Sequence, residues 1–443
     1  MHLPVDIESL PDEILGTIFR AAVPYPDLRT PLSPIPLRQI ALSHVSQRWR
    51  AVVLDDPFLW NSILFSTRRR YNVELCQLFL ERSQQAPLDI QAKVSQALEE
   101  QSFTSLFLPH IHKWGNVILM CESSELVTCL SRWSAVPLLE TLELRITGRS
   151  SDHESVNIPF LQGGAPRLRQ LKCSSLRLDG DPHDFPCLQE LFLGPYNIPY
   201  SNGLSGEPFH STTGLVAPHL TRLVARKFAI GSPFRPPTPV QFDNLLQLEL
   251  EVETLTLWEF MEHCRLPKLN SVAIRLLLRT ESFVFGGNPT PLPTVRNVVI
   301  SFDTSPSDHL HNDVAALTIR KLTQLFPNAV TLKAHPLTAL EEVILDGAVV
   351  GWPKLTSINA NTVSLDVVKR IVFDRRNHGY FTPLKEFNLQ TIQGGYPMED
   401  YIFVSQNVDF RVQMTKKPNA SGLLEIGSLT RFSATHLGGR GQL

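Results

Sequence analysis

Apolar residues recur at helical spacing in two stretches near the N-terminus. Leu10, Ile14, Ile18 and Ala22 repeat every four residues with Leu15 and Phe19 beside them, so one face of a helix is apolar. Ser9 stands where an N-cap is wanted, and Pro11 sits in the first turn, where its missing N–H costs nothing. Asp12 and Glu13 face the positive end of the helix dipole, and Pro24 and Pro26 end the helix. A second stripe runs through Leu37, Ala41, Val45, Trp49, Val52 and Val53, flanked by Arg48 and Arg50. Two such stripes cover one another and leave more apolar surface than about fifty residues can hide. The pattern predicts a helical module over 1–60 that needs something further to pack on. An ordinary helical hairpin packed on the next domain would show the same stripes.

From residue 137 the period changes. The phrase Pro-x-Leu-x-x-Leu-x-Leu appears as Pro137-Leu139-Leu142-Leu144, Pro166-Leu168-Leu171-Cys173 and Pro186-Leu188-Leu191-Leu193. It returns, with Asp or Thr for Pro in two cases, at Pro218, Asp243, Pro267, Pro293, Pro327, Pro353 and Thr382. The nine steps from Pro137 to Thr382 average about 27 residues, within the range of solenoid repeats. Each closing Leu-x-Leu alternates with period two and reads as a short strand with one buried face. Helical spacing intervenes at Leu126, Leu130 and Trp133, at Val314, Leu317, Lys321 and Leu325, and at Leu365, Val368, Ile371 and Val372. A strand and helix cannot bury their apolar faces alone, so such units stack. The predicted class is α/β: a helical module followed over 137–415 by a curved solenoid with a parallel sheet inside and helices outside. A non-solenoid α/β domain whose strands share the phrase is the competing reading. Residues 61–136 read as a linker or N-terminal cap, with a helix at Val73, Cys76, Phe79 and Leu80 and strands at Leu88-Asp89-Ile90 and at Trp114, Val117 and Leu119. Residues 416–443 read as a frayed tail.

Composition narrows the possible partners. The 443 residues are 43% hydrophobic and 19% charged with a net charge of −2, so the chain is globular and gives no electrostatic case for a nucleic acid. No apolar run is long enough for a membrane helix. Met1-His2-Leu3-Pro4 has neither the cationic start nor the apolar core of a signal peptide, and an intracellular address is expected. The six cysteines are scattered without a C-x-x-C and read as small buried apolar residues.

The N-terminal stripes carry a further order: Leu10-Pro11, Glu13-Ile14, Ile18-Phe19, Val45 and Trp49, then Leu59-Trp60. In these residues the module resembles an F-box. Ser46 stands where that family often has Cys, and the gap from Pro24 to Pro36 is longer than its usual loop. The repeats resemble irregular leucine-rich repeats, without most of the Asn or Cys that usually follows the strand. With Ala86-Pro87-Leu88-Asp89-Ile90 and His112-Lys113-Trp114, the chain is similar to the large group of F-box proteins of mushroom-type (basidiomycete) fungi. The resemblance implies a substrate adaptor of an SCF-type cullin-RING ubiquitin ligase, in the cytoplasm or nucleus. Leu10, Pro11, Ile14, Ile18, Leu42, Val45 and Trp49 would meet the SCF adaptor, which brings the cullin and RING subunits. An unidentified protein target would be held by the repeats, with no membrane partner. The alternative is a leucine-rich scaffold whose helices are only a cap.

Candidate chemistry is sparse. His110-x-His112 could place two imidazoles on one strand face, but no further ligand has matching spacing. Asp152-His153-Glu154 lies in a polar stretch, and Gly163-Gly164 and Gly286-Gly287 do not open a helix after a strand as a phosphate loop must. His263-Cys264 ends a helical stretch without an evident partner. No catalytic, cofactor-binding or metal-binding constellation is expected. The residues beside each buried Leu-x-Leu point to the other sheet face. Arg145, Lys172, Phe192, Arg222, Arg226, Glu249, Arg275 and Lys333 are the expected target-binding set there, polar and mixed in sign as protein recognition requires.

Overall fold

The computed structural model describes residues 7–23, 38–66, 72–95, 97–121, 135–146, 164–173, 183–194, 215–228, 240–277, 290–303, 311–334, 351–392 and 398–412. The proline-rich gap 24–36, the helix expected at 126–133, residues 152–154, Gly163, Gly286-Gly287 and the tail 416–443 lie outside them. The chain divides into two compact units, Met1–Leu220 and Thr221–Leu443.

The first unit opens with α1 (Asp12–Ala22), α2 (Arg38–Ser43) and α3 (Gln47–Asp55). Two details differ from the sequence expectation. Pro11, not Ser9, is the N-cap of α1, and its carbonyl accepts the Ile14 and Leu15 N–H groups at 3.1 and 3.0 Å. Ser9 instead belongs to a single 3-10 turn. The second apolar stripe is two helices, because Ser46 turns to extended backbone and its hydroxyl accepts the Trp49 N–H at 3.1 Å. A serine side chain that satisfies an orphan N–H starts a helix in place of continuing one.

Strands follow at once: β1 (Ser62–Ser66), β2 (Leu88–Val94), β3 (Trp114–Cys121), β4 (Thr141–Ile146), β5 (Gln170–Cys173) and β7 (Glu190–Leu193), paired in that order and all parallel. The residues read as a linker, 61–136, thus carry the first three strands of the sheet. Helices α4 (Asn72–Arg82) and α5 (Ala97–Phe107) lie between them, and the short β6 (His183–Asp184) and β8 (Leu215–Val216) pair separately. The second unit runs β9 (Arg222–Phe228), β11 (Gln247–Glu253), β13 (Ser271–Leu277), β14 (Asn297–Asp303), β15 (Thr331–Ala334), β16 (Ser357–Val363), β17 (Glu386–Ile392) and β18 (Asp409–Val412), again parallel and in chain order. A separate ladder joins β10 (Val240–Gln241) to β12 (Cys264–Arg265). Its helices are α6 (Thr254–His263), α7 (His311–Leu325), α8 (Leu365–Asn377) and α9 (Met398–Asn407). Both runs are open sheets with helices between strands, an α/β solenoid organisation.

The repeated phrase is the unit of this stacking. Leu142 pairs with Leu171 and Leu171 with Leu191, while Leu144, Cys173 and Leu193 form the next row. In the second unit Leu248, Val272, Val298, Leu332, Ile358 and Phe387 align in the same way, all within 2% of full burial. The turn before each strand shows a position the phrase omits. The first Leu N–H donates to the residue before Pro: Leu139 to Val136 at 3.2 Å, Leu188 to Phe185 at 3.2 Å, Ala329 to Phe326 at 3.2 Å and Leu355 to Trp352 at 3.2 Å. Pro therefore sits at the second place of a β-turn, where its fixed φ is pre-set. The residue ahead of it is a core residue: Val136, Phe185, Phe326 and Trp352 are all buried.

Candidate functional site

The helical module has a small interior and an uncovered exterior. Leu15 and Phe19 on α1 are buried, as are Val52 and Val53 on α3, and the Phe19 and Trp49 rings meet at 4.7 Å. The other face of α1 has no such cover: Ile14 is 48% exposed, Ile18 39% and, between α2 and α3, Val45 58%. Leu10, Leu42 and Trp49 are half-buried, and Pro11 is exposed. The Trp49 Nε1–H is buried and finds no acceptor among the described residues. The expected contact residues thus divide from the core residues on the same helix, one face each. Phe58, exposed with the Arg20 guanidinium over its ring at 5.0 Å, is not among the expected contacts.

Two arginines fix the module's shape. Arg48 on α3 donates to Asp12 Oδ1 through Nε at 2.9 Å and Nη2 at 2.6 Å, and to the carbonyls of Glu8 and Leu10. It therefore holds the chain that delivers Leu10 and Pro11. Arg20 donates to Asp56 at 2.7 Å, and Asp56 accepts the Phe58 N–H at 3.1 Å. The sequence showed Arg48 only as a flanking charge, since its partners lie 36 to 40 residues away.

The module is welded to the sheet by Trp60. Its Nε1–H donates to the Val53 carbonyl at 2.8 Å, its ring meets Phe79 of α4 edge-on at 5.3 Å, and Arg82 lies 5.9 Å over it. Asn61 bridges onward, its carbonyl accepting the Asp89 N–H at 3.0 Å and its side chain donating to the Pro87 carbonyl at 2.8 Å.

Each unit has its own group of outward sheet positions. In the first, Glu143, Lys172 and Phe192 share one row across β4, β5 and β7. Glu143 is buried under Arg145 and Lys172, whose ammonium also lies 5.0 Å over the Phe192 ring. In the second unit Arg226 pairs with Glu249 at 3.2 Å and Arg275 with Glu251 at 3.8 Å. Lys333 is exposed in the row that continues to Asn359 and Asn388, which bond amide to amide at 2.9 Å. Arg222 lies one row away, opposite Gln247.

The remaining candidates resolve locally. His110 and His112 lie in a 3-10 turn (Leu108–Lys113), not on a strand. Burial, Lys113 and His112 lower the His110 pKa. His263 ends α6, bonded at 2.8 Å to the Glu259 carbonyl. Cys76, Cys121 and Cys264 are buried thiols whose pKa is pushed up to about 12 by desolvation. Among the described residues no three His, Cys, Asp or Glu side chains gather to hold a metal, and no helix is long and apolar enough to cross a membrane.

Residues 7–66 match the F-box-like family. That span begins at the 3-10 turn before α1 and ends with β1, so it takes in the whole helical module and the Trp60 joint. No curated protein matches the chain.

Proposed function

We propose that the chain is a substrate-recognition adaptor of an SCF-type cullin-RING ubiquitin ligase. The helical module docks on the SCF adaptor protein, and through it the cullin and RING subunits, by burying Leu10, Pro11, Ile14, Ile18, Leu42, Val45 and Trp49. The strand repeats, read as irregular leucine-rich repeats, recruit a protein target on their outward face. Catalysis is then positional: a tethered target meets the ubiquitin-loaded enzyme at raised effective concentration, and this chain performs no bond chemistry. The observation that carries the reading is the F-box-like match over 7–66, joined to an apolar face on α1 that no described residue of the module buries.

The test is co-purification. Leu10→Ala with Pro11→Ala removes the half-buried and the exposed side chain that lead into α1 and should abolish capture of the SCF adaptor with the sheet still folded. Undiminished capture overturns the assignment. A leucine-rich scaffold with a helical cap predicts instead that no cullin component is captured even by the unaltered chain.

A further inference from the structure

The outward face of the first unit is not an ordinary solvated sheet face. Positions that face water on a half-buried sheet are polar. Here the rows read Leu64, Gln91, Ile118, Glu143, Lys172, Phe192 and, two residues further along the strands, Lys93, Met120, Arg145. Ile118, Met120 and Phe192 are only part-covered, and the alternate residues Val117, Leu119 and Leu191 already fill the core. The apolar side chains are therefore spare to the fold.

Charge gives the second half of the argument. These two rows hold three cations and one carboxylate, and that carboxylate, Glu143, is buried beneath two of them; the row before them adds Asp89 and Glu190, which accept from the Asn116 and Gln170 amides at 2.6 Å each. Glu143 neutralises part of the cations' charge without being available to a partner. Met120 sits between Lys93 and Arg145 on three adjacent strands. Strands lie about 4.8 Å apart, so the two cations start about 10 Å from each other with an apolar side chain midway. A chain segment laid across the strands meets cation, apolar, cation in turn.

We propose that this face binds an extended peptide segment in which an apolar residue has acidic residues two places before and two places after it, on the same side of the segment. The apolar residue rests on Met120 and Ile118, and the acidic residues pair with Lys93 on one side and Arg145 and Lys172 on the other. Phe192 extends the apolar floor for a second anchor. The proposal rests on the reading of the sheet as the target-binding end of an adaptor, and narrows the target to a chemistry.

The experiment pans the full-length chain against random 12-residue peptides displayed on phage, then measures one enriched peptide, fluorescein-labelled, by anisotropy. The expected sequences carry net negative charge with acidic residues two places before and two places after an apolar one. Affinity should fall about five- to tenfold for Lys93→Glu and for Lys172→Glu, and more steeply at low salt than at high salt. Lys172→Glu places a carboxylate beside Glu143 and can disturb folding. Lys93 has no bond to Glu143, so Lys93→Glu with an unchanged thermal melt keeps the test decisive. Basic or neutral consensus peptides, no enrichment, or affinity within about twofold for Lys93→Glu overturn the proposal. So does competition by a synthetic peptide of residues 413–443, or a doubling of mass in light scattering, either of which makes the occupant this chain itself. The Leu10→Ala, Pro11→Ala chain should bind the peptide unchanged. In the unaltered chain, peptide binding without SCF adaptor capture overturns the adaptor reading alone, and capture without peptide binding overturns this proposal alone.

Discussion

The division of α1 into a covered and an uncovered face can be tested quantitatively. The perturbation is Ile14→Ala, Ile18→Ala and Val45→Ala together. Fully burying such a side chain is worth about 2 kcal/mol relative to full exposure. With 48%, 39% and 58% of each exposed in the free chain, a docking partner that covers them gains about 1 kcal/mol per residue. Truncation to Ala removes most of that, about 2–3 kcal/mol in all, which is about a 30- to 150-fold rise in Kd. The free chain should hardly notice, because partly exposed positions cost about half a kcal/mol or so each. The assay is titration calorimetry against the purified SCF adaptor protein, with a thermal melt of each variant. The control is Leu15→Ala, buried at 0% on the same helix, which should lower the melt by about 2–5 kcal/mol of stability and weaken binding only through unfolding. A triple variant that binds within about threefold of the unaltered chain refutes the reasoning.

Two further outcomes follow from buried groups outside the docking module. The Arg375 guanidinium is 1% exposed and donates to the carbonyls of Trp352, Pro353, Leu355 and Thr382 at 2.9 to 3.2 Å, facing the Phe381 ring at 5.2 Å. Burial lowers its pKa to about 10, so it stays charged at neutral pH. Arg375→Met should cost at least about 3 kcal/mol, read from the urea midpoint, and Arg375→Lys should not restore it, because a point charge cannot serve four carbonyls at once. The buried thiols of Cys76, Cys121 and Cys264 keep their protons to about pH 12, whereas the unfolded thiols ionise near 9.0. Above pH 9 the unfolded chain sheds protons that the folded chain keeps. This contribution to stability is therefore intact below pH 9 and lost as pH rises toward 12, by up to about 1.4 kcal/mol per pH unit for each thiol. Urea midpoints at pH 8, 9 and 10 check it, and a flat profile refutes it.

What the sequence disclosed follows from which forces are local. Alternation in Leu142-x-Leu144 or Ile358-x-Ala360 is written into neighbouring residues, so the strands of the ten phrases and their buried faces were legible. β1 and β18 were not: β1 follows a Pro57-x-Leu59 turn, but its buried Ile63 and Phe65 stand one place later than the phrase puts them, and no Pro-x-Leu precedes Asp409–Val412. The core residue ahead of each Pro was missed for a different reason. It varies from Ala165 to Trp352 and only its place in the turn is constant. The second N-terminal stripe was read as one helix because Val45 and Trp49 keep helical spacing across Ser46, and spacing is blind to a side-chain cap. The candidate docking residues were legible as a motif. Their separation into covered and uncovered faces was not, since Leu15 and Ile14 are equally apolar and only burial in the folded module distinguishes them. Lys93 and Met120 escaped notice because they fall outside the phrases, and became neighbours of Arg145 only through strand register.

The Trp60 joint bears on how such an adaptor would work. A flexible tether holds a target at a concentration set by its length, whereas a packed joint holds it at one distance. Here the indole that bonds to α3 also packs on α4, and Asn61 is bonded to the chain entering β2, so no free segment separates the module from the first strands. From β1 to β7 there are five strand spacings, about 24 Å at about 4.8 Å each. A segment bound across β2 to β5 therefore lies within that distance of the docking module, at a height fixed by strand register and not by chain entropy. On the adaptor reading, target lysines are selected by their reach from that fixed point. A target bound in the second unit would present a different set of lysines to the same enzyme.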